Sequence, residues 1–106
     1  MKNSNIREKD VEKYLKRKVT SWLGGKAYKY TSPARRSVPD DILLWIPIGT
    51  SRGRLVFVEC KAPGKKLTDL QALEAGRLMG LGQLVFMVDT YEAVDDLLIV
   101  LGWMYL

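Results

Sequence analysis

The sequence has no histidine and a single cysteine, Cys60, among its 106 residues. Those two shortages remove whole classes of chemistry from one chain: structural zinc, a histidine-based nuclease centre, and Ser-His or Cys-His nucleophilic catalysis. A lone cysteine has no partner for an intrachain disulfide, in keeping with a reducing cytoplasm, and on a strand it reads as a buried thiol. Long apolar runs are also missing. The longest, Leu97 to Leu106, falls well short of the roughly 20 residues that span a bilayer. Residues 1 to 18 are polar and charged, so neither a signal peptide nor membrane contact is expected, and the expected setting is cytoplasmic. No repeat or low-complexity tract interrupts the chain.

What is present is a single domain's worth of sequence, with 47% apolar and 27% charged residues. Seventeen Lys and Arg against twelve Asp and Glu leave a net charge of +5, which favours a polyanionic partner such as nucleic acid.

Two apolar segments, Ile42 to Pro47 and Arg54 to Val58, flank the turn-forming Gly49-Thr50-Ser51-Arg52-Gly53 and read as a β-hairpin. With the turn centred near Thr50, Asp41 lies opposite Glu59; a register slipped by one residue puts Asp40 there instead. Either register sets an aspartate beside Glu59, with Cβ atoms roughly 4.5–5.5 Å apart. Lys61, two residues beyond Glu59, points to the same face. Two converging carboxylates repel unless a proton or a cation joins them, and oxygen ligands of this kind suit Mg²⁺ or Mn²⁺. A lysine on that face can orient or deprotonate an attacking water. Together these residue types describe metal-assisted phosphodiester hydrolysis.

Around the hairpin, Ile6 to Trp22 reads as a helix with Val11, Tyr14, Leu15 and Val19 on its apolar stripe, ended by Gly24-Gly25. Glu8 falls in line with that stripe, an awkward place for a carboxylate without a partner, unless Asn5 caps the helix and Glu8 completes a capping box. Lys26 to Thr31 is a short first strand, whose Lys29 and Tyr28 could reach a phosphate and a base. Arg35 and Arg36 enter the hairpin beside Asp40, where guanidiniums can grip phosphates. Lys65 and Lys66 follow the turn after Lys61. A second helix runs from Thr68 to about Leu81, with Leu70, Leu73, Leu78 and Met79 turned inward. Gln71, three residues after Thr68, fits a capping box. Leu84 to Val88 is a buried strand. A last helix spans about Tyr91 to Leu101, and the apolar ending could supply a final strand or an interface.

Ser32-Pro33-Ala34-Arg35-Arg36-Ser37-Val38-Pro39-Asp40, then Phe57-Val58-Glu59-Cys60-Lys61-Ala62-Pro63-Gly64 and Gln71, resembles the VRR-NUC family of PD-(D/E)xK nucleases, in particular its small stand-alone phage and bacterial members. The likeness runs from about Glu8 to Glu92. It implies that Asp40 and Glu59 bind Mg²⁺ or Mn²⁺, with the Cys60 carbonyl and Glu8 as further ligands, Glu8 directly or through water. It implies that Lys61 serves the nucleophilic water and that Gln71 reaches the same centre. The implied fold is α/β: a restriction-endonuclease-like αβββαβ core plus a C-terminal helix, a small mixed sheet flanked by helices. The implied activity is that of a metal-dependent DNA endonuclease, working as a homodimer on branched DNA such as Holliday junctions. A basic DNA-binding subunit without catalysis is the competing reading.

Overall fold

The computed structural model describes residues 5–30 and 37–103. Its elements are α1 (Glu8–Leu23), β1 (Lys26–Lys29), β2 (Asp41–Trp45), β3 (Arg54–Cys60), α2 (Asp69–Gly80), β4 (Val85–Val88) and α3 (Tyr91–Trp103). This is the expected αβββαβα order. The described part of the apolar ending, Leu97 to Trp103, belongs to α3.

The strands form one sheet in the order β1-β2-β3-β4. The first three are antiparallel neighbours; β3 and β4 are parallel, joined by the crossover that contains α2. Alternation along β2 and β3 divides the sheet into two faces. Leu43, Trp45, Val56, Val58 and Cys60 point to one face and meet Val11, Leu15 and Val19 of α1 and Val94, Leu97, Leu98 and Leu101 of α3 in a closed core. Burial of such a core is the main stabilising term for a domain of this size.

Local signals explain the ends of the elements. Gly24 caps α1 with φ 65°, a left-handed turn that glycine adopts without strain. Its neighbour Gly25 is required for space: a Cβ there would lie 2.7 Å from the Trp45 Cβ and would overlap the Leu44 carbonyl oxygen. At the other end of α1 the cap is Arg7, whose backbone N–H donates to Asp10 Oδ2 at 2.9 Å. The capping box thus sits two residues later than an Asn5–Glu8 box, and Glu8 is exposed at the head of the helix instead of in the buried stripe. Helix α2 is also turned relative to expectation. Glu74 and Ala75 are its buried positions, whereas Leu70 (67% exposed) and Leu73 (51%) face outward and Met79, on the sheet side, is still 53% exposed. The cause is that α2 lies on the sheet through its Gln71, Ala75 and Met79 side against Pro39, Glu59 and β4, which leaves the leucines at 70 and 73 on the far side. No helix among the described residues is long and apolar enough to cross a membrane.

Candidate active site

The register decides which aspartate meets Glu59. Asp41 pairs with Val58, Ile42 with Phe57 and Leu43 with Val56, one residue away from the Thr50-centred register. Asp41 is therefore turned toward α1, and the next position, Asp40, stands across from Glu59. The backbone of Asp40 is held from the other side by the Tyr30 N–H, which donates to the Asp40 carbonyl. Asp40, Glu59 and Lys61 consequently share the face opposite the closed core.

Glu59 is 3% exposed. Burial is the first reason that its carboxyl is pushed up to about 7; the Asp40 charge is the second, and Glu8 adds a smaller push in the same direction. Lys61 and the backbone N–H of Asp40 offset part of this. Two carboxylates that destabilise one another's charge, one of them almost out of contact with water, form a donor set that a hard dication would relieve. Among the described residues no group of three or more Asp, Glu or Cys side chains converges as a ready-made cage. The side chains that fit an ion are thus Asp40 and Glu59, with the Cys60 backbone adjoining them and Glu8 within electrostatic reach.

Gln71 joins this group from α2. Its Nε2 donates to Glu59 Oε2 at 3.3 Å, while its Oε1 accepts from the Thr68 N–H at 2.9 Å. The Thr68 hydroxyl completes the box by accepting from the Gln71 N–H at 3.1 Å. Capping and service to the acidic centre do not compete for this amide. They use its two ends, so the helix cap fixes the rotamer that reaches Glu59. The backbone of Lys61 is anchored to β4 by its N–H to the Val88 carbonyl, 2.9 Å, and the turn after it by the Gly64 N–H to Asp89 Oδ2, 3.2 Å. Pro39, Glu59, Gln71, Met79 and Phe86 line part of a narrow cavity of about 120 Å³ behind the acids.

A protein of Acyrthosiphon pisum secondary endosymbiont phage 1, named "Putative nuclease p44", is 44% identical over 87 residues, covering 82% of this chain and 87% of that protein. A solved structure described as a VRR_NUC domain superposes with a TM-score of 0.76 at 29% identity, over 92% of this chain and 97% of the other. This chain belongs to the VRR-NUC nuclease family. No family model matches it. The fold agrees with membership: among the described residues, three helices and a four-stranded mixed sheet match the VRR_NUC domain.

On the reverse face, this VRR-NUC chain carries a second carboxyl pair that sequence reasoning undervalued. Asp41 is fully buried, and among the described residues neither of its oxygens meets a conventional hydrogen-bond donor. Against it lie the Glu12 carboxyl and the Cys60 thiol. The contact makes physical sense when a proton sits between the acids. Burial, then the Glu12 contact, pushes Asp41 up to about 8, so that its acid form donates to Glu12. Glu12 is held below the usual carboxylate range despite burial, because the Asp41 and Lys29 hydrogen bonds favour its charged form. Lys29 Nζ lies 3.1 Å from Glu12 Oε2. The same enclosure raises the Cys60 thiol, by burial first and then by the Asp41 charge, which makes it an inert core thiol.

Of the expected phosphate contacts, Lys29 is thus engaged by Glu12. Lys65 and Lys66 are exposed beside the site, and Arg35 and Arg36 lie outside the described residues. The signal that could have singled out Glu12 was its position one helical turn after Glu8, beside the buried Val11.

Proposed function

We propose that the protein is an endonuclease that hydrolyses DNA phosphodiester bonds with Mg²⁺ or Mn²⁺. The observation that carries this reading is the Glu59 environment: a buried carboxylate, opposed by Asp40 in strand register, flanked by Lys61 and gripped by Gln71. Both family comparisons point the same way.

Asp40 and Glu59 hold the ion, assisted by the Cys60 carbonyl and by Glu8, directly or through water. When bound, a divalent cation supplies positive charge at the scissile phosphate and makes water more acidic. Gln71 keeps Glu59 turned toward the site, so that the carboxylate does not relax into the cavity behind it. Lys61, on the same face two residues on, orients the attacking water, accepts or relays its proton and offsets negative charge on the phosphate as the bond breaks. Lys65 and Lys66, with Arg35 and Arg36, bind the flanking phosphates. Exclusion of water from Glu59 by Pro39 and α2 strengthens each of these interactions.

We further propose that the working unit is a homodimer acting on branched DNA such as four-way junctions. One chain contains one such centre, so paired incisions need two copies. The outward apolar side of α2, where Leu70, Leu73 and Leu81 are 67%, 51% and 77% exposed, offers a surface for the second copy.

The test is an incision assay on a panel of four-way junction, flap, splayed arm, single strand and linear duplex, with Mg²⁺ or Mn²⁺. Junction cutting that disappears in Glu59→Gln and Lys61→Ala, while binding in Ca²⁺ persists, is the expected result. An inactive wild type on every substrate with both metals leaves the basic DNA-binding subunit as the better description.

A further inference from the structure

The edge strand next to the acidic centre presents two aromatic rings that the hydrolytic reading leaves without a task. Lys29 faces Asp41 across the β1–β2 ladder, and Tyr28 faces Ile42. The Tyr30 N–H donates to the Asp40 carbonyl, which extends that register by one step and sets Tyr30 across from Asp40. Residues opposite one another share a face, so Tyr30, Asp40 and Glu59 form one row across the sheet, continued by Met87. Tyr28, Ile42 and Phe57 form the row beside it.

Both rings stand on the face that carries Asp40, Glu59 and Lys61. Tyr28 is 53% exposed and Tyr30 is 42% exposed. Helix α2 covers this face over β4 and Glu59, whereas α1, the helix packed on β1, lies on the opposite, core face. Same-face neighbours on a strand are about 6.6–6.8 Å apart. That spacing is about twice the 3.4 Å rise of stacked nucleotides, so two rings standing off the strand leave a slot one base thick. An aromatic slot beside a basic chain suits a nucleic-acid base more than an apolar peptide. The base supplies two π-faces and its phosphate supplies the charge that Lys61 and the net +5 of the chain attract.

We infer that Tyr28 and Tyr30 hold an unpaired nucleobase of the substrate strand, next to the phosphate that Asp40 and Glu59 address. The inference rests on the nuclease reading for the identity of the ligand. It narrows the substrate class: DNA with a base free to leave its stack at the cutting position, such as a junction, a flap or a gap. A fully stacked duplex cannot enter the slot without the cost of unpairing.

The experiment uses the full chain with Ca²⁺ and two probes, a gapped duplex with 2-aminopurine in the unpaired segment and the same duplex fully paired. Stacking on the tyrosines quenches the probe in the gap. Wild type and the doubly substituted Tyr28→Phe, Tyr30→Phe protein are expected to quench it. Tyr28→Leu with Tyr30→Leu is expected to lose the quench and roughly 10- to 100-fold in affinity for the gap, with paired-duplex affinity held within about threefold. Absence of quenching by wild type overturns the inference without reference to any variant. So does an equal loss on both probes, no loss in the leucine protein, or a change in its sedimentation mass, which would assign the face to a second copy. If the wild type quenches the gap probe yet cuts nothing with Mg²⁺ or Mn²⁺, the slot stands and the nuclease reading fails.

Discussion

Each face of the β2–β3 hairpin meets a pair of acids, Asp40 with Glu59 on one side and Asp41 with Glu12 of α1 on the other, and the two pairs differ in what neutralises them. Asp40 and Glu59 face away from the core with Lys61 beside them and Gln71 holding one oxygen of Glu59. Asp41 and Glu12 face the core side, where a proton and Lys29 come from within the fold. The inner pair is internally neutralised and sealed by α1. Among the described residues, the outer pair has only Lys61 as an opposing charge on Glu59. Identical side-chain chemistry at adjacent positions, Asp40 and Asp41, yields an internally neutralised contact on one face and a pair of mutually repelling carboxyls on the other.

The largest expected separation is in catalysis. Asp40→Asn, Glu59→Gln and Lys61→Ala should each lower the incision rate by at least about 10³-fold in single-turnover assays, an order typical of lost charge stabilisation. Asp41→Asn, which imitates the protonated acid, should stay within about tenfold of wild type. Equal damage at Asp40 and Asp41 would falsify the division of labour.

Stability should separate the pairs in the opposite sense. Glu12→Ala strands a buried Asp41 and a half-exposed Lys29, and is expected to cost about 1–3 kcal/mol in denaturant unfolding. Glu59→Gln should raise the melting temperature of the metal-free protein, because it removes a charge that burial disfavours. If Glu12→Ala unfolds at the wild-type midpoint, the inner contact contributes nothing.

pH offers a finer discrimination. Asp41 and Glu59 have folded-state values of about 8 and about 7, above their ordinary values of 3.8 and 4.5. In the intervening window the folded chain binds more protons than the unfolded one, so stability must fall as pH rises. The melting temperature without metal should decline from pH 5 to pH 9 by roughly 5–10 °C. Asp41→Asn and Glu59→Gln should each flatten part of that slope. Addition of Mg²⁺ should remove the Glu59 part alone, since ligand that binds the folded state stabilises it. A slope that Mg²⁺ abolishes entirely would place the inner pair in the metal site as well.

The smallest effect is expected at Gln71. Gln71→Ala removes half of the α2 capping box and the contact to Glu59, for about 0.5–1 kcal/mol of stability and roughly tenfold in rate. Gln71→Glu keeps the cap oxygens but sets a carboxylate against Glu59. It should therefore recover the stability at low pH and not the rate, when melting curves and initial rates are compared.

Much of this comparison was legible before any coordinates. Apolar spacing in Val11, Leu15 and Val19, the glycines after Leu23, the Pro-Asp entrance and the Glu-x-Lys exit are local signals, and each led to the element now seen. The face of α2 was misjudged because leucines at 70 and 73 look like core when a helix is read alone. The helix is in fact oriented by its cap and by what Glu59 and β4 leave room for. Glu8 was misplaced for a related reason: its spacing from Val11 and Leu15 puts it on the stripe, but with Arg7 as the N-cap it is the first residue of α1, at the exposed rim.

By itself, the sequence determined the order of elements, the absence of histidine and disulfide chemistry, and the meeting of an aspartate with Glu59 at one end of a hairpin. These follow from periodicity, turn residues and composition, which are properties of neighbouring residues. Tertiary structure decided that the aspartate is Asp40, that Asp41 turns inward to Glu12, and that Gln71 can cap and reach Glu59 together. Each depends on a one-residue register or a helix rotation, and only the packing of distant segments against one another selects among those alternatives.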